Sequence, residues 1–182
     1  MAGITLEKVQ PQNLEAEMAV LGSMLLDEDA ISVATESLDK DSFYKDTHKK
    51  IFEAIRDLYN ANKAVDIITL TDELKRNETL DETGGASFLT ALVNSVPTAA
   101  NINHYVSIVK EKYILRTLIN NATKIISICY ESEGNVDEVV DSAERFIFEV
   151  SDKKHQGSYL QLKEIIKDSI ENIDRLYQKK AH

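Results

Sequence analysis

Four histidines, one cysteine and six glycines are where this 182-residue chain could hold chemistry. Their spacing supports none. His48, His104, His155 and His182 stand apart, and none has a second ligand at the short separations that metal sites use. Cys129 is alone, so it forms no internal disulfide, and it reads as a small core residue. Glycines 3, 22, 84, 85, 134 and 157 never precede a lysine, which excludes a phosphate-cradling G-x-x-x-x-G-K-[ST] loop. No G-x-S-x-G elbow occurs. The carboxylates fall on expected helix faces and caps, where solvation explains them. No catalytic, cofactor-binding or metal-binding residue is expected, and an assembly or docking module is the default.

Composition narrows the partners. The formal net charge is −10 and 43% of residues are hydrophobic. Such an acidic chain lacks the basic patch that grips phosphates. Its adjacent basic pairs are Lys49-Lys50, Lys153-Lys154 and Lys179-Lys180. A single-stranded nucleic-acid contact is therefore the weaker alternative. No apolar run approaches the roughly 20 residues of a membrane span. The first residues lack a basic stretch followed by an apolar core, so no secretory signal is visible. A cytoplasmic location is the expectation.

The elements that must position any docking surface are helical, and the fold class expected is all-α. Asn13 caps a first helix, with Leu14, Met18, Leu21 and Leu25 on one face and Gly22 marking a close neighbour. A second helix buries Ile31, Ala34 and Leu38. Asp46 is read as the cap of a third, which carries Ile51, Phe52, Ile55, Leu58 and Tyr59, with His48 partly buried at its start. Val65–Ile68 reads as an extended link, and Thr69 with Asp72 as the capping pair of a fourth helix. Gly84-Gly85 opens a fifth through Phe88, Leu89, Leu92 and Val93, which Pro97 ends.

Residues 102–150 then read as two antiparallel helices joined near Glu131–Asn135. The outgoing helix is apolar on one side at Ile102, Tyr105, Val106, Val109 and Tyr113. It is apolar on nearly the opposite side at Leu115, Leu118, Ile119, Ala122, Ile125, Ile126 and Cys129. Two faces in series need two partners. The second sector is about twice as wide as one helix would cover, given a packed stripe of roughly 100°. Ile119 and Ile125 lie on its flanks and are read as meeting another chain. Val136, Val139, Val140, Ala143, Phe146, Ile147 and Val150 give the return helix one apolar face, with Asn135 as its cap. A polar stretch containing Gly157 follows. Leu162, Ile165, Ile166, Ile170, Ile173, Leu176 and Tyr177 then form an amphipathic stripe that must dock on something else.

In sequence order, several segments resemble the bacterial replicative DNA helicases of the DnaB type. They are Pro11–Glu17 with Val20–Ser23, Phe43-Tyr44 with His48 and Ile51–Ile55, Val65–Leu70, Thr83–Gly85, Pro97–Asn101, and Tyr105 with Leu115-Arg116. Each match is short, but the ordered set across residues 10–150 is specific. The resemblance implies an N-terminal globule over residues 1–100, a helical hairpin over 101–153, and a linker with docking helix over 154–182. It implies that the family's ATP- and Mg-dependent motor domain is absent from this sequence. It also implies a non-catalytic collar module that pairs subunits, builds a hexamer and recruits the C-terminal domain of primase. The linker helix would pack on a neighbouring subunit's ATPase domain. Phe88, Leu118, Ile119, Ile125 and Ile126 are the candidates for the primase or subunit contact.

Overall fold

A computed structural model describes residues 9–131 and 135–155, and all its regular elements are helical. Seven α-helices run in order: α1 Leu14–Leu26, α2 Glu28–Ser37, α3 Asp46–Asn60, α4 Ile67–Arg76, α5 Gly85–Asn94, α6 Ile102–Glu131 and α7 Val136–His155. Two 3-10 turns, Lys40–Ser42 and Ala99–Asn101, redirect the chain. The expected stripe from Leu162 to Tyr177 lies outside the described residues.

α1 is the central element. It packs against α2, α3, α5 and the first half of α6. That explains why its single expected face, Leu14 to Leu25, is too narrow. Leu21 is fully buried, but so are Ala16, Glu17, Val20 and Met24, while Leu14 is 38% exposed. A helix surrounded on most sides buries small and polar positions as well as its apolar stripe. Gly22 meets its expected close neighbour: a Cβ there would sit 2.3 Å from the Leu92 carbonyl oxygen of α5. Phe43 and Phe52, with ring centroids 4.9 Å apart, fill the opposite side of the core beside Ile51 and Ile55.

The helix starts follow local chemistry, with two corrections. Asn13 caps α1 by accepting from the Ala16 amide at 2.9 Å, as read from sequence. Gly84 precedes α5 with φ +87°, a left-handed conformation that favours glycine. Asp46, however, is the first residue of α3 and does not cap it. Lys45 holds the cap position and supplies no side-chain bond. The start of α4 also shifts. Asp66 accepts from the Ile68 and Thr69 amides, and the Thr69 hydroxyl accepts from the Asp66 amide. Ile67-Ile68 therefore belongs to the helix instead of an extended link, and Thr69 pairs with Asp66, not Asp72.

Candidate interaction surface

The joint between the packed region and the hairpin is a buried polar cluster. Glu17 is 1% exposed, on α1. Its carboxylate accepts from the Tyr44 amide at 2.7 Å, the Lys45 amide at 3.4 Å and His48 Nδ1 at 2.7 Å. Glu17 thus fixes, from a different helix, the two residues that lead into α3 and the histidine of its first turn. His48 is 1% exposed and stacks on Phe88, with centroids 5.9 Å apart and planes within 5°. It is a fully buried structural residue, not the partly buried one expected.

Arg116 ties α6 into this cluster. Nη1 donates to the Pro11 carbonyl at 2.8 Å and Nη2 to the Ser42 carbonyl at 2.6 Å. Tyr44 and Tyr113 flank its guanidinium at 5.8 Å each. Burial pushes its pKa down, opposed by the nearby Glu17 carboxylate and the two tyrosines. Arginine stays charged through such shifts. Arg116 sits where the apolar side of α6 changes face, so it anchors the helix at the turn-over point.

Beyond Arg116 the hairpin is built differently. α7 packs on the second half of α6. Asn121, 3% exposed, donates to the Phe146 carbonyl at 2.8 Å. Ile125 and Ile128, on the same helical face as Asn121, are half-buried, as are Val139, Ala143, Phe146 and Val150 of α7. The packed face is therefore narrow and centred on Asn121.

The rest of the apolar sector is open. Leu115 is 44% exposed, Leu118 40%, Ile119 46% and Ile126 57%. Cys129, expected in the core, is exposed too. The reason is angular. At about 100° per residue, Leu115, Ile119, Ala122, Ile126 and Tyr130 centre roughly 140° round α6 from Asn121. On α7 the exposed Val136, Val140 and Ile147 centre roughly 70° from the Val139–Val150 face in the same rotational sense. In an antiparallel pair, equal senses fall on one side of the hairpin. The exposed apolar residues of α6 and α7 thus lie to the same side of the hairpin. The apolar residues of α7, read as a single face, divide into this open flank and the packed one.

The five candidates for a contact occupy two regions. Phe88 is half-buried on the packed region, where Lys45 Nζ lies 5.6 Å from its ring. Leu118, Ile119 and Ile126 are on the open hairpin face, and Ile125 turns toward α7. Glu17, Tyr113, Arg116 and Asn121 were not legible as positioning residues. A carboxylate among Ala16, Ala19 and Val20, and a cation at the switch of apolar faces, are the signals that mark them.

Among the described residues no group of histidine, cysteine and carboxylate side chains could hold a metal ion. No helix there is long and apolar enough to cross a membrane. Of the lysine pairs expected as nucleic-acid contacts, Lys49 pairs with Asp46 at 2.9 Å and Lys50 pairs with Glu82, whereas Lys179-Lys180 lies outside the described residues.

Comparison with known proteins fits this architecture. The family model for the DnaB-like helicase N-terminal domain matches residues 9–111. The replicative DNA helicase DnaB of Geobacillus stearothermophilus is 41% identical over 179 residues, covering 98% of this chain and 39% of that protein. The replicative DNA helicase DnaC of Bacillus subtilis is 41% identical over 181 residues, covering 100% of this chain and 40% of that protein. The chain thus spans about two fifths of the length of these relatives. The crystal structure of the N-terminal domain of DnaB helicase from Mycobacterium tuberculosis superposes with a TM-score of 0.74 at 43% identity, covering 78% of this chain and 99% of that one. A DnaB-like replicative helicase studied for its interactions with primase superposes with a TM-score of 0.65 at 26% identity, covering 78% of this chain and 31% of that one. With residues 9–111, more than half its length, matched by the family model, the chain belongs to the DnaB-like helicase N-terminal domain family.

Proposed function

We propose that this domain is the non-catalytic collar module of a replicative DNA helicase. It pairs with copies of itself through the open face of the α6–α7 hairpin and receives the C-terminal helical domain of primase. The observation that carries this reading is the apolar side of Leu118, Ile119, Ile126, Val140 and Ile147, exposed on a two-helix hairpin. Apolar side chains clustered on one side of an otherwise acidic, polar hairpin are what a protein partner covers. The likeness to a helicase described with its primase interactions supports the second half of the proposal.

In this reading ATP and Mg belong to a motor domain outside this chain. The whole assembly is a hexameric, ATP-dependent helicase working at the replication fork in the cytoplasm. The stripe from Leu162 to Tyr177 docks on the motor domain of a neighbouring subunit. DNA is handled mainly by the motor, in keeping with the net charge of −10 here.

Titration calorimetry of this domain with a cognate primase C-terminal domain tests the docking half. Ile119→Asp and Phe88→Ala should each weaken binding about 30-fold, an ordinary interface anchor's contribution of ~2 kcal/mol. Unchanged affinity in both variants, with their folds intact, would remove these residues from the contact.

A further inference from the structure

α7 packs extensively on α6 alone, yet its last turn reaches a third part of the molecule. Lys153 Nζ donates to the Tyr113 hydroxyl of α6 and lies 4.4 Å from that ring's centroid. Tyr113 in turn flanks Arg116, which holds the Ser42 carbonyl of the 3-10 turn Lys40–Ser42. Asp39 and Asp41, in and beside that turn, attract Lys153. Burial works against its charge, but the hydrogen bond to the Tyr113 hydroxyl and these two aspartates oppose it, and its pKa is raised. The contact keeps the hairpin's register. Moving eight residues back along α6 from Asn121 to Tyr113 matches moving seven forward along α7 from Phe146 to Lys153.

We infer that Lys153 is a positioning residue: a clamp that pins the last turn of α7 to Tyr113 of α6 and, through the Tyr113–Arg116 contact, to the 3-10 turn of the packed region. Neutralising or screening Lys153 lets that turn lift from α6. The inference holds whatever covers the open face of the hairpin. It gives the last turn of α7 a charge-controlled hold on α6.

Amide exchange across α7, followed by mass spectrometry on the full chain, tests the clamp. Lys153→Met keeps the length and helix propensity of the side chain but removes its charge and donor. Exchange at residues 150–155 should rise about two- to five-fold, the range for a partly exposed ion contact. Tyr113→Phe should raise it at the same amides, and the double variant should add little. Raising the salt to about 1 M, where the Debye length is roughly 3 Å, should bring the wild type to the Lys153→Met level. Amides at residues 136–146 should stay as they are. Unchanged exchange in both single variants, or a rise spread evenly along α7, would overturn the inference.

Discussion

The packed region and the hairpin are made of the same material and differ in who buries it. From α1 to the first half of α6, apolar groups close on one another. Val20, Leu21, Phe52, Leu70 and Leu92 are all fully buried. Past Arg116, the same density of isoleucine, leucine and valine leaves Ile119, Ile126, Val140 and Ile147 about half exposed. Two antiparallel helices can cover only one stripe of each other. A globule spends its apolar surface on its own stability, whereas the hairpin keeps part of it for a partner. Substitutions should therefore act in opposite ways in the two regions.

The largest effect belongs to the core. Phe52→Ala should cost about 4 kcal/mol in urea unfolding, from lost transfer energy plus the cavity left beside Phe43. A cost near that of an exposed hairpin residue would erase the contrast. Next comes the buried cluster. Glu17→Ala leaves the Tyr44 amide and His48 Nδ1 unmatched in a buried site, for a loss of about 3 kcal/mol. If His48→Ala in that background restored nothing and cost nothing further, the pairing would still hold as a unit by double-mutant cycle. Full additivity of the two would contradict it.

A smaller effect sharpens the account of helix starts. Asp66→Ala should cost about 1 kcal/mol at neutral pH. The Thr69 amide lowers the Asp66 pKa most, more than burial raises it, with the Thr69 hydroxyl and the Ile68 amide adding to the lowering. A depressed carboxylate contributes stability above its unfolded pKa and loses it as pH falls through the folded one. The gap between wild type and variant should therefore persist at pH 5 and close only below the ordinary carboxylate range. A gap already closed at pH 5 would contradict the capping box. The smallest effect on folding belongs to the open face. Ile126→Asp should leave the unfolding midpoint of the isolated domain almost unchanged, within about 0.5 kcal/mol.

Much of the fold was legible, because strong local signals coincide with tertiary ones. Asn13, Gly84 and Pro97 punctuate the chain where the structure does, and Gly22 announces the approach of Leu92. What failed were the positions where distant residues decide. Asp46 looks like a cap until Glu17, 29 positions earlier in sequence, fixes Tyr44 and Lys45 so that Lys45 takes the cap position and Asp46 becomes the first helical residue. Cys129 looks like core until the hairpin turns its Asn121 face inward instead. The surplus apolar sector of the outgoing helix was legible as a surplus. Which side of it stays open was not, because a polar residue, Asn121, sits at the centre of the packed face and hides it from a hydrophobic pattern.

The most direct test is the mass of the domain by sedimentation equilibrium across a wide concentration range, with Ile126→Asp alongside. The open-face reading predicts a wild type that rises from 20.5 kDa to a dimer or larger species, and a variant of equal stability that stays at 20.5 kDa. A wild type that stays monomeric throughout, or a variant that associates equally well, would contradict it.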